Sequence, residues 1–383
     1  MNPIPYGRQS ITQDDIDAVV EALKHDFLTQ GPRIAEFEEK FAAYIGSKYA
    51  VANANGTAAL HLCALALNVN ENTNVITSSI TFVASANCIK YCGGNITFAD
   101  IDAETLTLDI NQVRQILEAA PKGTYHGIIP VDFAGYACDL EAFRALADEY
   151  GLWIIQDSCH SPGGWFTDSK GEIQRCGNGN FADLAIFSFH PVKHIASGEG
   201  GMITTNDKDL YDRLCVLRTH GITKDESKFT ENHGGWYHQM QELGYNYRLT
   251  DFQAALGISQ LVRADKGMER RQEIAKRYHE AFANTVVQTH VPPEGILNAH
   301  HLYVVELNNR KEVYDYLRAS QIYSQVHYIP VHTQPYYRSL ETKEIVLPVA
   351  EMYYSRGLSL PMYPTLTEEE QEFVIEKVLE IAK

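Results

Sequence analysis

Three short stretches of this sequence carry side chains that could act on a substrate. In "FSFHPVKHIASGEGG" (187–201), Lys193 follows an apolar run by a few residues and is flanked by Pro191, Val192 and Ile195, with no adjacent acid before Glu199. A lysine amine denied water is pushed toward its neutral form, and a neutral amine attacks carbonyl carbon. Lys193 is therefore read as an imine-forming nucleophile. In "LWIIQDSCH" (152–160), Asp157 stands just past four apolar residues. A carboxylate there is costly unless something cationic meets it, such as a protonated ring nitrogen. In "YAVANANGTAALHLCALAL" (49–67), a short strand runs through Gly56 and Thr57 directly into an Ala/Leu helix. Backbone N–H groups and a hydroxyl then face one spot before a helix N-terminus, which attracts phosphate. Each stretch also has an ordinary reading: a solvated lysine, a strand-end carboxylate, and a threonine cap.

The elements that position these groups follow from periodicity. Candidate helices at 13–25, 33–45, 57–67, 109–120 and 139–150 alternate with apolar runs of strand length at 49–53, 74–77, 96–99, 127–131 and 152–156. That alternation predicts an α/β fold with a mostly parallel sheet and helices on both faces. The rhythm continues through "DLAIFSFH" and "GGMITTN", breaks into a Gly-, His- and Tyr-rich loop near 220–245, and resumes as one long helical stretch over 250–284. Strand, helix, strand and a charged helix at 367–382 follow. The expected division is a large domain over 1–265 and a smaller C-terminal α/β domain over 266–383. Ligands of such sheets bind beyond the carboxyl ends of the strands, where all three stretches converge. A phosphate nest, a buried acid and an imine-forming lysine are together what pyridoxal 5'-phosphate (PLP) requires, the acid keeping the ring nitrogen protonated.

Composition narrows the field. With 383 residues, 45% hydrophobic and 21% charged, the chain can bury a substantial core. Its formal net charge is -17, and no basic run is present to track a phosphate backbone, so nucleic acid is not an expected partner. No stretch approaches the ~20 apolar residues of a membrane span, and "MNPIPYGRQS" lacks a signal-peptide core, so a cytoplasmic protein is expected. The seven cysteines are scattered and read as buried reduced thiols. His300-His301 and "HYIPVH" (327–332) could be metal ligands, but nothing in their spacing enforces it, and no metal is expected.

Over essentially its full length the chain resembles the DegT/DnrJ/EryC1/StrS family of fold-type I, PLP-dependent sugar aminotransferases. Carrying the resemblance are "YGRQSI" (6–11), "FLTQGPRIAEFEEKFA" (27–42), "NGTAALHL" (55–62), "ITFVASAN" (80–87), "DSCH" (157–160), "FSFHPVKHIASGEGG" (187–201), "RTHGI" (218–222) and "LGYNYRLTDFQAALGISQL" (243–261). The resemblance implies that Lys193 links to the cofactor and shuttles protons, with Asp157 against the pyridine nitrogen. It places Gly56, Thr57 and Ser188 on the phosphate, Phe82 on the ring face and His160 near the phenolic oxygen. Asn246 resembles a residue lent to the phosphate by a neighbouring subunit, which implies a homodimer with shared sites. Two departures stand out: Gln156 where the family commonly has Glu, and Ser158-Cys159 where small alanines are frequent.

The resemblance further implies transfer of an amino group from L-glutamate to the 4-keto group of a nucleotide-linked 6-deoxysugar. "FSFHPVK" with "GEGG" and "NYRLTDFQAALG" most resemble members acting on the UDP-linked N-acetyl-altrosamine type of the pseudaminic acid route. Bacillosamine-route, perosamine and 4-amino-arabinose aminotransferases are the alternatives within the family. A non-catalytic regulatory protein on the same fold is the alternative outside it. Substrate candidates are Tyr6, Arg8, Thr29, His327, Tyr328 and His332, with Arg8, Arg248 or Arg338 available for the diphosphate.

Overall fold

The structure, a computed structural model, describes residues 3–25, 27–340 and 343–383. Its centre is a seven-stranded sheet: β1 (Tyr49–Asn53), β2 (Asn74–Ser78), β3 (Asn95–Ala99), β4 (Gly127–Ile129), β5 (Trp153–Asp157), β6 (Leu184–Ser188) and β7 (Gly201–Thr205). The spatial order is 3-2-4-5-6-7-1. β7 runs antiparallel to both neighbours, and the remaining pairs are parallel. The chain is thus the mixed, mostly parallel α/β structure that its alternating pattern predicts.

Why these runs form buried strands is visible in where successive residues go. Side chains alternate across a strand, and here both faces are covered. After the helices α1 (Gln13–Lys24) and α2 (Pro32–Ile45) in chain order, Val51, Val75, Ile155 and Ile186 join the cluster beneath α3 (Gly56–Ala66) and α4 (Ala84–Tyr91). Their neighbours Ile76 and Ile154 join Val113, Leu117, Phe143 and Leu146 on the other face. Ala50, Ala52, Phe187 and Met202 pack there against Phe37, Phe41 and Ile45 of the helix Pro32–Ile45. Strands buried on both faces read as continuous apolar runs.

A separate core gathers Ile274, Tyr278, Phe282, Tyr303, Val305, Leu317, Leu358, Leu360, Val374 and Val378. Its antiparallel sheet joins Gln288–Thr289, Tyr303–Glu306 and Gly357–Leu360. Ile4 belongs to it too, because Ile4–Pro5 pair in parallel with Ile322–Tyr323. The long helix expected over 250–284 is two helices, Asp251–Val262 and Ala264–Phe282. Arg263 stands at the break, where its guanidinium donates to Asp15 Oδ1 at 2.8 Å and to the Ser10 carbonyl at 2.7 Å. Among the described residues no helix is long and apolar enough to cross a membrane.

Candidate active site

The first component is built where β1 turns into α3. Asn55 caps the helix, its side-chain oxygen accepting from Ala58 N–H at 2.8 Å. The N–H groups of Gly56 and Thr57 therefore stand at the open, positive end of α3. Ser188, the last residue of β6, faces this turn so closely that a Cβ on Gly56 would lie 3.0 Å from Ser188 Cβ and 3.4 Å from Cys159 Sγ. Only a residue without a side chain lets these backbones approach to form a pocket of anion size.

Asp157 ends β5 and is 5% exposed. Its Oδ2 accepts from Ser85 Oγ of α4 at 2.7 Å, and its Oδ1 from Cys159 N–H at 3.1 Å. The segment around it is held from below by Asp132, which accepts from Gln156 Nε2 (2.7 Å), Ser158 Oγ (3.0 Å), Ser161 Oγ (2.6 Å) and Cys138 N–H (3.0 Å). Burial raises the Asp132 pKa against those bonds, which favour the charged form. Gln156, one of the departures from the family pattern, is thus a bridge in this network: its Nε2 reaches Asp132 while its Oε1 accepts from Gly177 N–H at 3.0 Å.

Lys193 sits in a turn closed by its own N–H to the His190 carbonyl, 2.9 Å. Its Nζ is 3.4 Å from His301 Nε2. Burial lowers its pKa below the usual lysine range; the charges of Cys159 and Asp157 oppose that shift, and Arg271 reinforces it. His160 is buried beside it and pushed well below the ordinary histidine range, first by burial and then by the Lys193 charge. Its Nδ1 accepts from Ala134 N–H at 3.2 Å. A neutral ring accepting at Nδ1 carries its proton on Nε2, which faces the Tyr328 hydroxyl at 3.3 Å.

One cavity of about 720 Å³ brings most of the expected residues together: Gly56, Thr57, Asp157, Ser188 and Lys193 at its floor, with Phe82, His160, Tyr6, His327 and Tyr328 around them. Phe82 is 57% exposed, an aromatic face turned to open space 6.2 Å from the Tyr328 ring. His327 is buried, its Nδ1 2.9 Å from Ser359 Oγ.

Six expected residues do not line this cavity: His332, Thr29, Arg8, Asn246 and the two further diphosphate candidates, Arg248 and Arg338. His332 is drawn elsewhere by its partners, Ser79 Oγ at 2.6 Å and Glu351 Oε1 at 3.2 Å, and borders a second cavity of about 660 Å³ together with Arg338. Thr29 is exposed and engaged in a bridge with Thr250. Arg8 is exposed, and so is Asn246, whose backbone bridges Thr219. Conversely Asn55, Ser85 and His301 are in the site without having been singled out for it. The cap of this turn is Asn55 rather than Thr57, the residue that its ordinary reading from sequence had named. The His300-His301 pair was noticed only for its metal-binding side chains, and among the described residues no group of three or more His, Cys, Asp or Glu side chains is placed to hold a metal ion.

The cavity fits PLP on its own geometry: a glycine-lined helix N-terminus for a phosphate, a buried carboxylate for a ring nitrogen, an exposed aromatic face for a planar ring, and a buried amine whose charged form burial disfavours. Fold and site together define a PLP-dependent lysine enzyme.

The chain belongs to the DegT/DnrJ/EryC1/StrS aminotransferase family, which it matches over residues 9–379. It is 38% identical to the spore coat polysaccharide biosynthesis protein SpsC of Bacillus subtilis, covering 99% of this chain and 97% of that protein. It is 35% identical to the UDP-4-amino-4,6-dideoxy-N-acetyl-beta-L-altrosamine transaminase of Campylobacter jejuni, again over 99% of this chain and 97% of the relative. GDP-perosamine synthase of Escherichia coli O157:H7 is 33% identical, with 99% of each chain covered. Among solved structures, Helicobacter pylori PseC, an aminotransferase of pseudaminic acid biosynthesis, superposes with a TM-score of 0.88 at 29% identity, covering 99% of both chains. The PLP form of Spr1654 from Streptococcus pneumoniae gives 0.88 at 27% identity, covering 99% of this chain and 98% of that one. The protein is accordingly a PLP-dependent sugar aminotransferase.

Proposed function

We propose that this enzyme moves an amino group from L-glutamate to the 4-keto carbon of a UDP-linked 4-keto-6-deoxysugar of the N-acetyl-altrosamine type, as on the pseudaminic acid route. The observation that carries the sugar assignment is agreement between two comparisons: 35% identity to the Campylobacter transaminase named for that product, and the superposition on PseC. A perosamine-type reaction on a GDP-linked sugar is the second reading, favoured by the 33% identity to GDP-perosamine synthase.

Bound in the cavity, PLP supplies an electron sink for the carbon that bears the amino group. Gly56 and Thr57 N–H groups with Ser188 Oγ would hold its phosphate, Asp157 would keep the ring nitrogen protonated, Phe82 would cover a ring face, and His160 would stand near the phenolic oxygen. Lys193 is the amine that would hold the cofactor covalently. Once free, it takes the Cα proton of the amino donor in one half-reaction and delivers a proton to C4 of the sugar in the other. Tyr6, His327 and Tyr328 line the space left for the sugar.

Asn246, outside its own chain's cavity, completes the phosphate pocket of a second copy in a homodimer with shared sites. Arg8 and Thr29, also exposed, are left for substrate or partner contacts. Exposed Trp236 (78%), Met240 (60%) and Leu243 (72%) near Asn246 in sequence support such a partner. The division into domains 1–265 and 266–383 and a cytoplasmic location, where nucleotide sugars and glutamate are available, belong to the same proposal.

The test is incubation of the purified protein with glutamate and a panel of UDP- and GDP-linked 4-keto-6-deoxysugars, the amino product being identified by mass and NMR. Turnover of the altrose-configured UDP sugar alone is expected. Turnover only of its glucose-configured epimer, or only of a GDP sugar, replaces the assignment.

A further inference from the structure

His301 reaches the site from a segment 108 residues away from Lys193 in sequence. It is 5% exposed, and its ring is packed against those of His160, centroids 4.3 Å apart at 38°, and His194, 5.7 Å apart. The backbone carrying it is pinned: the buried Arg271 guanidinium donates to the His300 carbonyl at 2.9 Å and to the His301 carbonyl at 3.4 Å. One of its ring nitrogens, Nδ1, is buried with no hydrogen-bond partner. A buried polar atom left unpaired is a cost that an apolar side chain of similar size would avoid. The other nitrogen is the one at Lys193 Nζ.

We propose that His301 is the positioning residue for Lys193: its Nε2 accepts a hydrogen bond from the amine whenever that amine is free, and so holds it in one place between proton transfers. The inference rests on Lys193 being the imine-forming amine. A lysine head on four rotatable bonds must be confined to act as a base at a fixed carbon. It also brings two or three N–H donors into a buried space that offers few acceptors. His301 can fill this role because it stays neutral: burial, and after it the Lys193 and Arg271 charges, hold its pKa well below the ordinary value. The other groups near the amine are Asp157, whose charge favours the charged form, Arg271, whose charge opposes it, and Cys159, His160, His194 and His327, which burial keeps neutral.

Accepting from an ammonium stabilises it, so removing the acceptor lowers the Lys193 pKa further. The experiment uses the full-length protein freed of cofactor. The rate of imine formation with added PLP is followed by absorbance across pH, and the linked residue is identified by borohydride reduction and mass spectrometry. In His301→Leu the midpoint of the pH–rate profile is expected about one unit below that of the wild type. His301→Gln, whose amide oxygen reaches toward the Nε2 position, should restore the midpoint. A His301→Leu midpoint equal to that of the wild type, or a His301→Gln midpoint as low as that of His301→Leu, overturns the proposal. Should His301→Leu fail to fold by circular dichroism, His301→Gln decides alone, with a wild-type midpoint expected. Label on another residue in the wild type instead removes Lys193 from its role, which is a separate failure.

Discussion

In the proposed mechanism Lys193 and Asp157 divide the electrostatic work of the site between an amine whose pKa burial lowers and a carboxylate fixed by two donors. Asp157→Asn keeps the shape and its contact with Ser85 Oγ, yet removes the charge. The proposed role then predicts an enzyme that folds and binds PLP but turns over roughly 100-fold more slowly, an opposite charge of this kind being worth about one to three pKa units. Steady-state kinetics beside the absorbance spectrum of bound PLP checks it, and a variant within twofold of wild type would sink the role. Both residues were legible in the sequence because each follows an apolar strand run, and strand ends are where ligands meet such sheets. His301 was not, since no local period links it to position 193, and only the fold's second core delivers it. His332 misled for the converse reason. The family resemblance of "HYIPVH" suggested a substrate contact, but Ser79 and Glu351 offered His332 other partners.

At the level of elements, the "GEGG" stretch has a packing explanation that its composition alone could not provide. A Cβ on Gly201 would lie 2.6 Å from the backbone carbon and oxygen of Asn55 and 2.6 Å from Asn53 Oδ1. β7 thus touches the turn that starts α3, and the helix cap depends on the missing side chain. Gly201→Ala is expected to destabilise the fold by about 1–3 kcal/mol and to weaken PLP affinity. Urea unfolding and cofactor titration would measure the two effects. Unchanged values in both would mean that the turn is more compliant than its contacts indicate. The sheet was legible from its apolar runs. The break between the helices Asp251–Val262 and Ala264–Phe282 was not, because no Gly or Pro marks it, and Arg263, where it falls, pairs with Asp15 more than 200 residues earlier. The short helix Ala84–Tyr91 also escaped notice, its Ala-Ser-Ala-Asn start offering no strong apolar stripe.

Across the whole molecule, proposed sharing of residues between two copies has a distinctive consequence when inactive variants are mixed. Lys193→Ala and Asn246→Ala damage the same site from different chains. Randomly paired, half of the dimers carry one variant of each kind, and each of those has one intact site. About a quarter of wild-type activity should therefore return after the two proteins are unfolded and refolded together. Recovery no greater than the average of the separate variants would place Asn246 outside the active site. Domain organisation is the scale at which the chain was least legible, because the second core takes Ile4 from the opposite end of the sequence through pairing with Ile322. Strand pairing across such a separation leaves no local trace.

The buried imidazoles in and beside the site also set a limit on the acidity in which this protein can survive. His300 and His327 are held near a pKa of about 3, and His160 and His301 lie well below the usual value, all of them first because of burial. Released into solvent, each would bind a proton near pH 6.5. Between about pH 6.5 and 3 the unfolded chain therefore takes up protons that the native one refuses, and stability falls as pH falls, by up to about 1.4 kcal/mol per pH unit for each ring. Thermal melts from pH 7.5 to 5 should show a steep early descent, before the carboxylates begin to titrate. A flat melting temperature down to pH 5 would mean that these rings accept protons in place. An enzyme furnished in this way is suited to near-neutral surroundings and ill suited to an acidified one.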